Sequence, residues 1–179
     1  MKVKILKECG YEEALFGLSL SYNVNDMQKI EQRAIKLAQM GGGHNKFLES
    51  IILWIDIDAP RYWWSQFDTY RIGVTKQSQS TMHTILKREL TIKDFEDTIY
   101  GNILDILNRY IKIKDFEMVK AHLPESFLQR RIICTNYKTV RCIISQRHGH
   151  KLKQWQNFIN SIYEQINYPN FLPLIRDIK

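Results

Sequence analysis

Ser50 to Ile57 reads Ser-Ile-Ile-Leu-Trp-Ile-Asp-Ile. Branched and aromatic side chains of this kind sit more easily on a pleated backbone than on a helix. The run is therefore a strand, and its almost unbroken apolar character makes it a central one. Gly41-Gly42-Gly43 lies before it and stops the preceding helix, because glycine accepts backbone angles that other residues resist. Ala59-Pro60 ends the strand. A second strand candidate spans Arg130 to Thr135. Met1-Lys2-Val3-Lys4-Ile5-Leu6-Lys7 has alternating charge and no apolar run, as expected of a short strand and not of a signal peptide.

Helical spacing accounts for much of the rest. From Asn25 to Met40, with Asn25 or Asp26 as cap, Met27, Ile30, Ala34, Leu37 and Ala38 share a face. Arg61 to Tyr70 sets Trp63, Phe67 and Tyr70 on one stripe. Arg71 to Met82 is polar and reads as a loop. Thr91 to Tyr110 carries a helix whose apolar face is Ile99, Ile103, Ile106, Leu107 and Tyr110. Asn136 can cap a helix through Gln146, ended by Gly149. Lys151 to Ile166 is the clearest amphipathic helix, with Leu152, Trp155, Phe158, Ile159, Ile162, Tyr163 and Ile166 recurring; Pro169 and Pro173 follow. Strands and helices alternate enough for an α/β or α+β fold with helices in excess.

The 179 residues suit one domain over 1–179, or a core domain with a small lobe. At 44% apolar the chain can bury a core, and no window approaches the roughly 18 uncharged apolar residues of a membrane span. Cys9, Cys134 and Cys142 are odd in number and lack metal-ligand spacing; they read as small buried hydrophobes in a reducing cytoplasm. A net charge of +7 attracts phosphates, on nucleotides or on nucleic acid.

No single motif declares a reaction. Gly41-Gly42-Gly43 is not followed by Lys-Ser or Lys-Thr, so it is no phosphate loop. His148 and His150, two apart, read as solvated side chains and not as metal ligands. No nucleophile elbow occurs. What the chain carries is an ordered series. His44-Asn45-Lys46-Phe47-Leu48-Glu49 precedes the central strand and Ala59-Pro60. A helix with Gln66 then leads to Tyr70-Arg71-Ile72-Gly73 and a polar loop ending near Ser78 and Ser80. Leu123-Pro124-Glu125-Ser126 follows, then Thr135-Asn136, Arg147 and His150.

In this order and spacing the chain resembles the flavin-dependent thymidylate synthase family, from about Gly10 to Pro173. The family pattern is a His loop with Phe-Glu-His, a strand, Ala-Pro, and a helix into Arg-His-Arg with a Ser beyond it. A Leu-Pro before a strand, an Asn-x-Arg at a helix start and a later Arg complete it. The resemblance implies an α/β (α+β) fold with a central mixed sheet flanked by helices. It implies a cytoplasmic flavoprotein, a methyltransferase of nucleotide biosynthesis acting on dUMP. FAD would be the cofactor, methylenetetrahydrofolate and NADPH the cosubstrates, and the assembly a homotetramer. The partner is a small-molecule nucleotide, with nucleic acid less favoured and no membrane.

Residue by residue, His44 and Glu49 match the flavin-side loop, Arg71 the last Arg of Arg-His-Arg, and Asn136 a flavin-contacting Asn. Lys138 replaces the Arg two residues later. Gln66 matches a nucleotide-side Gln, and Lys120 stands where the family has an Arg that holds the substrate phosphate. Arg147 matches the Arg that contacts and polarises the uracil ring. Thr69 and Tyr70 stand where the family has Arg and His. The family Ser falls on Gln79 by strict count, or on Ser78 or Ser80 if the loop shifts by one. Gln77 and Thr81 take the places of a Glu and an Arg. Lys120 and Lys138 give point charges where arginine gives a planar fork.

The chemistry so implied needs no protein nucleophile in the favoured mechanism. It needs a reduced flavin stacked near a pyrimidine, a cation on the developing ring charge, and water kept out. Arg147 can be the cation, and near a helix end it is expected to matter little to the fold. Tyr62, Trp63, Trp64, Phe67 and Tyr70 offer stacking faces, although core packing is the preferred reading of Trp63 and Phe67. As an exposed aromatic run they also suggest a partner surface. Two other readings stay open. The polar Arg71–Met82 loop suits the same fold acting on another nucleotide or base. The lost Arg-His pair and the +7 charge suit a non-catalytic basic protein that binds nucleotide or nucleic acid.

Overall fold

A computed structural model describes residues 1–173. In chain order the elements are β1 (Lys2–Cys9), α1 (Tyr11–Leu20), α2 (Met27–Ala38), β2 (Ile52–Pro60), α3 (Arg61–Phe67), β3 (Thr75–Ser78), α4 (Thr81–Thr84), α5 (Gly101–Lys112), α6 (Phe116–His122), β4 (Leu128–Asn136), α7 (Tyr137–Arg147) and α8 (Lys153–Gln165). The strands form one antiparallel sheet, ordered β1-β2-β4-β3, and helices flank it. The α/β expectation therefore holds. β2 is an inner strand, as its composition requires: Leu53, Ile55, Ile57 and Ala59 alternate along it and are fully buried. β1 is an edge strand whose Lys2, Lys4 and Lys7 are exposed, a charge pattern that discourages edge-to-edge pairing.

The chain divides into two compact units. One comprises Met1–Lys2, Ile57–Thr69 and Gln77–Arg131; the other comprises Val3–Asp56, Tyr70–Lys76 and the residues from Ile132 on. In the first, Leu90, Phe95, Leu107, Ile111, Val119 and Leu123 are among the buried residues that close around α5 and α6. Trp63, Trp64 and Phe67 are fully buried beside one another, with ring centroids 4.9 to 5.5 Å apart. Trp63, Trp64 and Phe67 are thus interior packing, whereas Tyr62 and Tyr70 are half-buried.

In the second unit, Trp155, Phe158, Ile159 and Ile162 of α8 are fully buried at the i, i+3, i+4, i+7 positions. Each contributes about 1.5–3 kcal/mol of transfer from water. Asp26 caps α2, its carboxylate accepting from the Gln28 and Lys29 amides at 3.1 and 3.2 Å. Gly10 opens α1 with φ +90°, and a Cβ there would stand 2.3 Å from the Ser50 carbonyl oxygen. Only glycine satisfies both the angle and the approach.

Several expectations are corrected. The stretch Arg71–Met82 is not all loop, because Thr75–Ser78 pairs as edge strand β3. Helix does not begin at Thr91: a short 3-10 turn at Ile92–Asp94 is followed by extended chain, and α5 starts at Gly101. Glu96 donates its amide to the Ser126 carbonyl, and Phe95 bridges to Phe127, which draws that segment away from helix. Ile106, expected on the apolar face, is 41% exposed, whereas Ile111, not among the residues expected there, is buried. Met27, first in α2, is also exposed. α1 and α6 are additional helices. The cysteines are not buried: Cys9 and Cys142 are exposed and Cys134 is half-buried. Cys9 ends the edge strand and Cys142 lies on the outward side of α7.

Candidate functional site

Arg147 is the last residue of α7. Val140, Ile143 and Ile144 bury one face of that helix, so the helix end is fixed and its final side chain turns with it. The guanidinium does not project freely. Its Nε donates to the Tyr70 hydroxyl at 2.8 Å. Its carbon lies 4.7 Å from the Trp155 ring centroid and 5.5 Å from that of Tyr70, within the range of cation–π attraction. Trp155 is fully buried and meets Tyr70 edge-on, centroids 6.2 Å apart at 74°. Arg147 is therefore half-buried packing as well as charge.

Among the described residues, Nη1 and Nη2 of Arg147 make no hydrogen bond. Other packed arginines are engaged through those nitrogens. Arg131 holds both Asp68 oxygens and Gln129. Arg141 holds Gln39 and the Phe171 carbonyl. Beside Arg147, the Nδ1 of His150 accepts from the Leu152 amide at 3.1 Å. Burial, with Arg147 and Lys151 close by, keeps the His150 imidazole below its ordinary pKa. A neutral ring with Nδ1 as acceptor fits that bond and adds no competing charge.

Of the residues expected on a flavin side, Asn136, Lys138 and Glu49 lie around the start of α7. Asn136 caps the helix, its Oδ1 accepting from the Thr139 amide at 2.9 Å. The turn carrying Arg71 is clamped against this start. The Thr135 hydroxyl donates to the Gly73 carbonyl at 2.8 Å. A Cβ on Gly73, whose φ is +69°, would meet Thr139 Oγ1 at 2.4 Å. Lys138 pairs with Glu49 at 2.5 Å. Both ends of that pair are more than a third exposed, so it contributes little stability. Glu49 and His44 line a cleft of about 340 Å³ with Lys46, Glu13 and Leu18. Arg71 is exposed and, among the described residues, makes no hydrogen bond.

The other residues expected on a substrate side, Gln66, Ser78, Ser80 and Lys120, fall in the other unit. Lys120 of α6 donates to Thr81 Oγ1 at 2.7 Å. That bond joins it to the turn that begins at Ser80, whose carbonyl accepts from the Thr84 hydroxyl. Ser78 ends β3 and is exposed; Gln66 is half-buried on α3. The structure thus brings Lys120 beside the Ser80 turn, and Glu49 beside Lys138. Among the described residues no group of three or more His, Cys, Asp and Glu could hold a metal ion, and no helix is long and apolar enough to cross a membrane.

Sequence reasoning took Trp155 only as core and did not connect Tyr70 with Arg147. Helical periodicity reports a buried face, and it says nothing of a cation laid across the end of that face. The turn around Gly149, with φ +73°, brings Trp155 back toward Arg147. A basic residue, a Gly turn and an aromatic at the next helix start were the signal available.

No protein-family model matches the sequence, and no curated protein matches it. Solved structures match by fold. A crystal structure of flavin-dependent thymidylate synthase ThyX from Helicobacter pylori, complexed with FAD and dUMP, superposes with a TM-score of 0.80 at 14% identity, covering 96% of this chain and 97% of that one. A second ThyX structure from the same organism, also with FAD and dUMP, gives 0.78 at 14% identity and 93% of each chain. The likeness spans the whole fold, and at this identity the fold is what it establishes.

Proposed function

We propose that the chain is a flavin-dependent enzyme that transfers one carbon to a deoxyuridylate-like pyrimidine nucleotide. The observation that carries the reading is Arg147, braced by Tyr70 and Trp155 while its terminal nitrogens make no hydrogen bond among the described residues, on a fold matched end to end by proteins crystallised with FAD and dUMP. A cation held in place before the reaction stabilises charge as it develops on the ring, more than it stabilises the bound substrate. Arg147 is proposed for that role. As the resemblance implies, Gln66, Ser78, Ser80 and Lys120 are proposed as nucleotide-side residues, with Lys120 a point charge suited to a phosphate. Methylenetetrahydrofolate and NADPH would be the cosubstrates, and the protein a cytoplasmic homotetramer, as the resemblance implies.

FAD, when bound and reduced by NADPH, would supply the electrons that reduce the transferred carbon. Arg71, exposed and without a hydrogen bond among the described residues, suits its diphosphate. Lys138 suits it next, since a surface ion pair with Glu49 is easily exchanged for a phosphate. Asn136 and His44 complete that set.

Flavin uptake tests this reading. Titrating FAD with protein should quench flavin fluorescence saturably, and Arg71→Ala should weaken uptake about tenfold, the usual worth of a charge-assisted bond. Failure to take up either FAD or dUMP would overturn the proposal. Uptake of dUMP without flavin would favour the non-catalytic nucleotide-binding reading, which Thr69, Tyr70 and the Lys138–Glu49 pair recommend.

A further inference from the structure

Tyr70 occupies a position where the resembled family carries a histidine, and its hydroxyl accepts from Arg147 Nε at 2.8 Å. The acceptor lies 77 positions away in sequence, on the turn held to β4 through Thr135 and Gly73. Trp155, fully buried, supplies a fixed face beneath the guanidinium at 4.7 Å. A free arginine side chain samples many rotamers and loses them on binding. Here one hydrogen bond directs Nε and one buried ring lies against the guanidinium carbon. Among the described residues the donors on Nη1 and Nη2 have no acceptor, and they present a planar pair to an incoming one.

We infer that Tyr70 is a positioning residue for Arg147, setting its guanidinium before the nucleotide arrives and so raising affinity for the pyrimidine's acceptor oxygens. This rests on the proposed nucleotide function. Tyr70 acts through Arg147 and does not itself touch the substrate. Removing its hydroxyl leaves the ring and its edge contact with Trp155, so the fold stays.

The test is a double-mutant cycle on the full chain, with dUMP affinity read by calorimetry and stability by thermal melting. Tyr70→Phe should bind dUMP about tenfold more weakly at nearly the parent's melting temperature. In an Arg147→Ala background it should add no further loss, because the two act as a unit. Equal binding by Tyr70→Phe, or the same loss in both backgrounds, would overturn the inference. Nitrogen-15 spectra give a reading that needs no nucleotide. The Arg147 Nε–H should exchange slowly in the parent and quickly in Tyr70→Phe. A fast-exchanging parent overturns the positioning role; a protected Nε–H in a protein that binds no dUMP overturns the proposed function alone.

Discussion

Arg147→Ala lowers dUMP affinity or turnover at least a hundredfold, the loss expected when a preorganised charge partner worth on the order of 3 kcal/mol is removed. Its effect on stability is smaller, about 1 kcal/mol, from the aromatic faces and one hydrogen bond that disappear with it. The bond from Nε to Tyr70 and the Trp155 face are both properties of a guanidinium. Arg147→Lys keeps the charge without the planar fork and restores only part of the binding. Calorimetry beside a thermal melt separates the two effects. A variant that binds and melts like the parent would make Arg147 an ordinary surface side chain.

Trp155→Ala is expected to cost about 3–5 kcal/mol, the range for truncating a large buried aromatic. Trp155 is fully buried at the start of α8, with Phe158, Tyr70 and His150 rings about it at 6.1, 6.2 and 6.3 Å. The same substitution removes the ring on which Arg147 rests. Denaturant unfolding should show a lower midpoint with an unchanged slope. A midpoint close to the parent's would mean that the site collapses around the gap, and that the brace under Arg147 is soft.

What the sequence revealed was whatever repeats locally. β2 was legible because its branched side chains are crowded together, α8 because its apolar residues recur at helical spacing, and the start of α7 because Asn136 is a capping residue. β3 was not, since Thr-Lys-Gln-Ser has no apolar alternation and pairs only because β4 offers it an edge. α1 buries only Ala14, Leu15 and Ser19, too weak a stripe to stand out. Leu90, Phe95 and Ile99 are apolar at near-helical intervals, yet tertiary pairing with Ser126 and Phe127 holds part of that segment extended.

The site was legible in its charges and not in its partners. Residue type and order indicated Arg147, Lys120, Lys138 and Arg71 as the cations. The groups that decide how each can act lie far off in sequence: Tyr70 for Arg147, Thr81 for Lys120, Glu49 for Lys138. Local patterns cannot reach across such separations. The departure at Tyr70 illustrates the point, because what reads as a lost motif position is in the fold the acceptor that holds the arginine.

The fold is proposed to hold a pyrimidine nucleotide on Arg147. Calorimetric titration of the unmodified protein with dUMP, with and without FAD, tests it most directly. The expected result is saturable uptake of dUMP that Arg147→Ala weakens at least a hundredfold. An unmodified protein that takes up no dUMP under either condition would contradict it.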